Sequence, residues 1–287
     1  MIKYLPFLIL IVFSTALFAQ DDLLGELEGE LAQEKTYTFA TFKGSRLING
    51  HTVKTRKKGE LEFLISHRFG RINSGLFELF GLDNSFIHLT LDYGITDRLN
   101  VGIGRSSVDK TYDSFLKYNL VRQAENGLPV TVTALVNTSL RTFPRLADDP
   151  GWTGVNRIAY ASSLLIARKF NSELSMQIMP VWVHKNRVVA PEINNQAALG
   201  VGFRYMLSES ISLNGEYYLR INAPDFVDAP RYNPLAIGVD IETGGHVFQL
   251  QLTNSRGMIE RAFVTETDGN FFSGDIHFGF NISRTFQ

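Results

Sequence analysis

The chain ends in IHFGFNISRTFQ, residues 276–287, a stretch that suits either a soluble sheet or a membrane barrel. Successive side chains of a strand point to opposite faces. Ile276, Phe278, Phe280, Ile282 and Phe286 therefore share one side, and His277, Gly279, Asn281, Ser283 and Thr285 share the other. One face is apolar and aromatic, the other small and polar. In a soluble sheet the apolar face turns to a core; in a membrane barrel it turns to lipid. Arg284 lies on the apolar face near its end, where a long side chain snorkels to the interface.

The same alternation runs back through the chain. Leu61, Phe63, Ile65 and Phe69 oppose Glu60, Glu62, Ser66 and Arg68. Ile87, Leu89, Leu91 and Tyr93 oppose His88, Thr90 and Asp92, and Leu99, Val101 and Ile103 oppose Asn100, Gly102 and Gly104. It continues through 112–122, 130–140, 157–170, 174–184, 196–207, 211–222, 235–243, 246–254 and 274–287. Such lengths suit tilted strands crossing a bilayer, which takes roughly 9–11 residues. Strands of soluble sheets average only about five or six.

The connections alternate as well. GITDR (94–98), AENGLP (124–129), NSE (171–173), SES (208–210) and TGG (243–245) are tight. Between them lie 71–85, 142–155, 185–195, 222–234 and 255–274, with only 108–113 short on that side. Short turns at one end and long loops at the other describe an all-β, transmembrane, antiparallel up-and-down β-barrel of the outer membrane. Counting from Glu60 gives twelve strands. That even number puts both termini in the periplasm; ten or fourteen strands remain compatible with a signal this weak per segment. The last strand then pairs back to the first, leaving no open edge in lipid. Phe278, Phe280, Ile282 and Phe286 form the signal expected to be read by the barrel assembly machinery, with the terminal aromatic one position in from the end.

The N-terminus reads MIKYLPFLILIVFSTALFAQDD. A basic Lys3, an apolar Leu5 to Phe13 and small Ala16 and Ala19 make residues 1–19 a secretory signal peptide, cut after Ala19 or, alternatively, after Gln20. Leu23, Leu24, Leu27 and Leu31 follow at helical spacing, in an amphipathic helix or a tether weakened by two glycines. TYTFATFKGSRLINGHTVKTRKKGE (36–60) is polar, basic and without a clean period. Residues 20–58 are thus a periplasmic or lumen-entering segment, and 59–287 the barrel.

Four stretches carry a resemblance: TFKGSRLINGHTV (41–53), LEFLISHRFGRINSG (61–75), LFGLDN (79–84) and LDYGITDRLNVGIGRSSVDKTYDSFLKYNLV (91–121). The chain resembles a family of bacterial outer-membrane β-barrel proteins catalogued only as a domain of unknown function. The resemblance is strongest over 39–122 and implies the barrel and the outer membrane of a Gram-negative bacterium. It brings no catalytic residue or substrate.

Composition narrows the function classes. The chain has no cysteine, which removes disulfides and a lipid-anchored export route. A net charge of −1 argues against a nucleic-acid partner. With 22 Phe and 10 Tyr but no apolar run of spanning length after the signal, strands and not helices must meet the membrane lipid.

The inward positions are the candidate functional residues. Lumen-lining candidates are Glu60, Glu62, Arg68, His88, Asp92, Lys117, Arg157, Arg204, Glu216, Arg220, Asp240, Glu242 and His277. Both signs occur together, which favours paired networks over a one-signed selectivity ring. Inward glycines such as Gly102, Gly200, Gly202 and Gly279 make room for long side chains or keep a passage open. His67 and His184 fall on outward positions, as a membrane-embedded hydrolase would need, but no serine is placed beside either and G-x-S-x-G is absent. No H-E-x-x-H motif or Cys/His cluster suggests a metal, and no cofactor motif is present. The chain therefore reads as a non-enzymatic outer-membrane barrel, a narrow channel or transporter with a small solute as cargo. A structural or binding barrel with a braced, closed lumen is the alternative, and a hydrolase the last. The longest loop, 255–274, either folds inward as a constriction or lies across the mouth.

Overall fold

The computed structural model describes residues 36–143, 151–224 and 229–287. The expected signal peptide and the leucine-spaced segment after it lie outside the described residues. Twelve antiparallel strands form one closed barrel in which every strand pairs with its sequence neighbours. They are β1 (Leu61–Arg71), β2 (Ser85–Gly94), β3 (Leu99–Ser106), β4 (Thr111–Val121), β5 (Thr131–Arg141) and β6 (Ile158–Lys169), then β7 (Leu174–Lys185), β8 (Asn195–Met206), β9 (Ile211–Arg220), β10 (Leu235–Thr243), β11 (His246–Thr253) and β12 (His277–Phe286).

Closure runs through the C-terminal strand. β12 pairs with β1 from Leu61↔Phe286 to Arg68↔Gly279, with a register shift between Arg68 and Arg71. Phe278, Phe280 and Ile282 face out; His277, Gly279, Asn281 and Ser283 are turned in and buried. The outward seam is aromatic: Phe69 stacks on Phe278 at 5.8 Å and His67 on Phe280 at 4.8 Å. Such cross-strand pairs each stabilise a sheet by roughly 0.2–1 kcal/mol.

Strand ends follow local chemistry. At one rim the connections are short; the Asn171 side chain, for example, accepts from the N–H of Glu173 and Leu174 to close the β6–β7 turn. At the other rim they are long except between β3 and β4, and the β11–β12 connection holds a helix, α1 (Glu260–Glu266). Gln287 lies at the short-turn rim beside the start of β1. Lipid-facing arginines near the rims lie over aromatic rings: Arg105 over Tyr112 toward the long loops, Arg168 over Phe170 and Arg284 over Phe286 at the short turns. This is where amphipathic side chains meet the membrane–water interface.

Candidate functional site in the barrel lumen

The lumen is filled from both ends. From the short-turn rim, residues 43–55 enter as a hairpin, with a bridge between Arg46 and His51. Leu47 N–H donates to the Gly50 carbonyl at 2.8 Å and Thr52 N–H to the Ser45 carbonyl at 2.9 Å. Phe42, Leu47, Ile48 and Val53 are buried.

Beyond these two bonds and those made by its own Arg46, Thr52 and Lys54 side chains, the hairpin backbone takes its partners from wall side chains. The N–H groups of Asn49 and Gly50 donate to the two carboxylate oxygens of Glu216, at 2.7 and 3.1 Å. Gln177 accepts from Val53 N–H at 2.9 Å and donates to the His51 carbonyl at 2.8 Å. Gln249 donates to the Leu47 carbonyl, Asn281 to that of Ile48 and Thr133 to that of Val53, at 2.6, 3.0 and 3.1 Å. Lys117 reaches the Thr52 carbonyl at 3.3 Å. Buried backbone groups need partners, and here the lumen wall supplies them without extending its sheet.

From the long-loop rim comes α1, of which Glu260 to Thr265 are all buried. Phe263 packs against Tyr218 with ring centroids 5.0 Å apart. The helix and the hairpin meet at one carboxylate: Glu260 lies 3.5 Å from Arg46 and 3.7 Å from His51. At the rim, Glu266 is held by Arg261 at 2.6 Å, Lys185 at 2.8 Å and Arg141. Burial alone would raise the Glu266 carboxyl, but the charges of Arg261, Lys185 and Arg141 outweigh it and hold it well below the usual carboxylate range.

The lumen has two characters. Leu135, Leu165, Met179, Val181 and Val183 line an apolar side, on which Leu47, Val53, Phe263 and Val264 pack in one cluster. One glycine gives the hairpin room, as a Cβ on Gly202 would lie 2.1 Å from Leu47, and another admits a wall side chain, as one on Gly200 would lie 2.5 Å from the Tyr218 ring of β9. A third, Gly279, yields to Arg68. These glycines admit side chains.

The other side is polar and paired. Arg56 of the hairpin's return meets Glu62 at 3.2 Å. Glu242 binds Lys43 at 2.6 Å and Arg204 at 2.7 Å. Arg68 donates to Asn49 at 2.9 Å and Asn281 at 3.3 Å, and His88 contacts Asp113 at 2.8 Å. Asn100 donates to Asp92 at 2.8 Å and Gln249 to Asp240 at 2.6 Å. Arg220 reaches Gln196 at 3.3 Å, and His277 contacts the Phe69 carbonyl at 2.8 Å.

Two of the inward candidates lie elsewhere. Glu60 sits in the exposed turn ahead of β1, accepting from Lys57 N–H. Arg157 ends a one-turn helix before β6 and donates to the Trp152 and Phe143 carbonyls, bracing a loop. Both are in phase with their strands but fall beyond the strand ends. Conversely, Gln177, Gln249, Asn281 and Thr133 carry much of the hairpin's anchoring, and their signal was a neutral amide or hydroxyl at an inward position.

On the outward face, His184 bonds Asn195 at 2.8 Å and stacks on Trp182 at 5.7 Å. Its described partners, like the ring partners of His67, include no serine hydroxyl. Trp152 packs within its own loop against Phe143, with Arg141 above its ring. No cluster of three or more His, Cys, Asp or Glu able to hold a metal occurs among the described residues.

A family model described as "Membrane bound beta barrel domain (DUF5777)" matches residues 42–286. No functionally curated protein matches. Among solved structures, the chain is similar to a KdgM porin at 6% identity and a TM-score of 0.48, covering 78% of this chain and 99% of that one. It is similar to the COG4313 outer membrane channel from Pseudomonas putida F1 at 14% identity and a TM-score of 0.49, covering 81% and 97%. An outer membrane phospholipase A from Escherichia coli matches at 11% identity and a TM-score of 0.43, covering 83% and 95%. Likenesses at these scores say nothing of cargo or chemistry.

Proposed function

The chain belongs to this family of membrane-bound β-barrel domains, and from that premise we propose that it is a non-enzymatic outer-membrane channel for small solutes, held closed by its own N-terminal hairpin. The supporting observation is that the hairpin takes no part in the strand ladder of the wall. The strand ladder is complete from β1 to β12 without it. Residues 43–55 are anchored by side chains, so their departure would cost no inter-strand bond. A barrel of eight strands is filled by its own side chains, whereas sixteen to eighteen leave an aqueous channel. Twelve strands lie between, and the space released would be lined on one side by Glu62, Arg68, Lys117, Glu216 and Asp240.

The orientation follows from the loops: short turns toward the periplasm, long loops outward, and residues 1–19 removed on export. Phe278, Phe280, Ile282 and Phe286 then serve the assembly machinery of a Gram-negative envelope. Liposome swelling with sugars of increasing size tests the reading. Vesicles carrying protein that lacks residues 20–58 should swell, with a size cut-off, and vesicles carrying the whole mature chain should not.

One observation favours a second reading, a permanently braced barrel that presents its loops to partners. The apolar cluster of Leu47, Val53, Phe263 and Val264 ties both occupants to the wall as a protein core does. In that case neither protein admits solute.

A further inference from the structure

We propose that the lipid-facing wall carries a binding site for a phosphate-bearing lipid, between β2 and β5 near the long-loop rim. The cross-strand register sets it up. One outward row runs Leu91, Ile103, Ser114, Thr138 and Tyr160 from β2 to β6. Along their own strands the outward neighbours of Ser114 and Thr138 are Tyr112, Leu116, Val136 and Leu140. Two small side chains thus stand side by side between Ile103 and Tyr160 across the strands and Tyr112 and Leu140 toward the rim. The missing bulk leaves a groove of about 550 Å³ whose walls include Leu91, Ile103, Tyr112 and Leu140.

Arg105 also lines this groove, one position from the long-loop end of β3. Its guanidinium is held over the Tyr112 ring at 4.9 Å and donates to the Ser106 carbonyl. None of the ion pairs described among these residues gives it a carboxylate. A guanidinium carries five donors in a planar fork suited to phosphate. An apolar groove ending in an unneutralised arginine at the height of the headgroups fits one occupant: a lipid whose acyl chain fills the groove and whose phosphate meets Arg105. Chain and headgroup are both needed, because either feature alone would serve any neighbouring lipid.

The test is native mass spectrometry of the full mature protein in neutral detergent, titrated with dioleoyl phosphatidic acid or dioleoylglycerol, which share tails and differ by the phosphate. The wild type should retain one phosphatidic acid at about tenfold higher affinity than the diacylglycerol, on the scale of a hydrogen-bonded charge. Arg105→Gln should abolish that preference, and Arg284→Gln, at the opposite rim, should leave it intact. Filling the groove by Ser114→Leu or, from the adjacent strand, Thr138→Leu should lower retention of both lipids, with heat-modifiable migration confirming a folded barrel. Equal binding of the two lipids by the wild type, or an undiminished preference in Arg105→Gln, would overturn the proposal, as would unchanged retention in both groove-filling variants.

Discussion

Asn49 and Glu216, 167 positions apart in the chain, are joined by a 2.7 Å bond from the Asn49 N–H to Oε1, and Oε2 of the same carboxylate takes the N–H of Gly50 at 3.1 Å. One side chain of β9 thus satisfies both donors at the hairpin tip. Glu216→Gln keeps the shape but leaves one of the two N–H groups facing an amide donor. A buried donor left without its acceptor costs about 1–3 kcal/mol. The chain has no cysteine, so Ile48→Cys makes a single reporter at the tip. In Glu216→Gln its modification by a thiol reagent should be at least about fivefold faster than with Glu216 in place. Equal rates would show that this carboxylate does not hold the tip.

Gly202 lies against Leu47, with only 2.1 Å between an added Cβ and Leu47 Cδ2. Valine there fills the seat of the leucine. Overpacking of this kind costs about 1–3 kcal/mol, which is best relieved by moving the hairpin, since β8 is paired along both edges. Gly202→Val should migrate as a folded barrel yet become cleavable by trypsin at Arg46 or Lys54. A hairpin as trypsin-resistant as that of the wild type would count against its being separable.

Acid should loosen the outer occupant. The Glu266 carboxyl is depressed in the folded barrel despite burial, by Arg261, Lys185 and Arg141. A depressed carboxyl contributes stability that is full above its ordinary range, near 4.5, and is lost as pH falls through the lower folded value. Amide exchange protection of 260–266 should therefore decline as pH drops below about 4.5, after correction for intrinsic exchange rates. Glu266→Gln should start lower and lose that part of the slope. An unchanged slope in Glu266→Gln would assign the pH effect to other groups.

The barrel was legible because alternation is a local property. Phe278, Phe280 and Ile282 identify the outward face of β12 with no knowledge of their partners, and Leu61, Phe63 and Ile65 do the same for β1. Where a strand stops is set by nonlocal contacts, which is why Glu60 and Arg157 sit in phase with their strands but beyond the wall. The hairpin left no period in TYTFATFKGSRLINGHTVKTRKKGE because the wall partners of its backbone are single side chains from six strands: Lys117, Thr133, Gln177, Glu216, Gln249 and Asn281. Nothing within 36–58 announces them. Charge drew attention to Arg68, Lys117 and Glu216, while the neutral Gln177 and Asn281 carry equally direct contacts to the hairpin. Leu135, Leu165 and Met179 add an apolar inner wall, which explains why a lumen with so many ionisable groups also encloses a hydrophobic cluster.

Phe286 pairs with Leu61 at the closure of the barrel and has Arg284 above its ring. If this end is the assembly signal, Phe286→Ser should lower the heat-modifiable fraction in membranes several-fold. Refolding of the purified variant in detergent should change little, since an exposed side chain contributes modestly to stability. Equal membrane levels of the variant and the wild type would remove Phe286 from that role.

The most direct measurement is single-channel current in a planar bilayer, comparing the whole mature chain with protein lacking residues 20–58. Closure by the hairpin predicts silence from the former and discrete conductance steps from the latter. Steady conductance in the whole chain, or continued silence after the deletion, would contradict it.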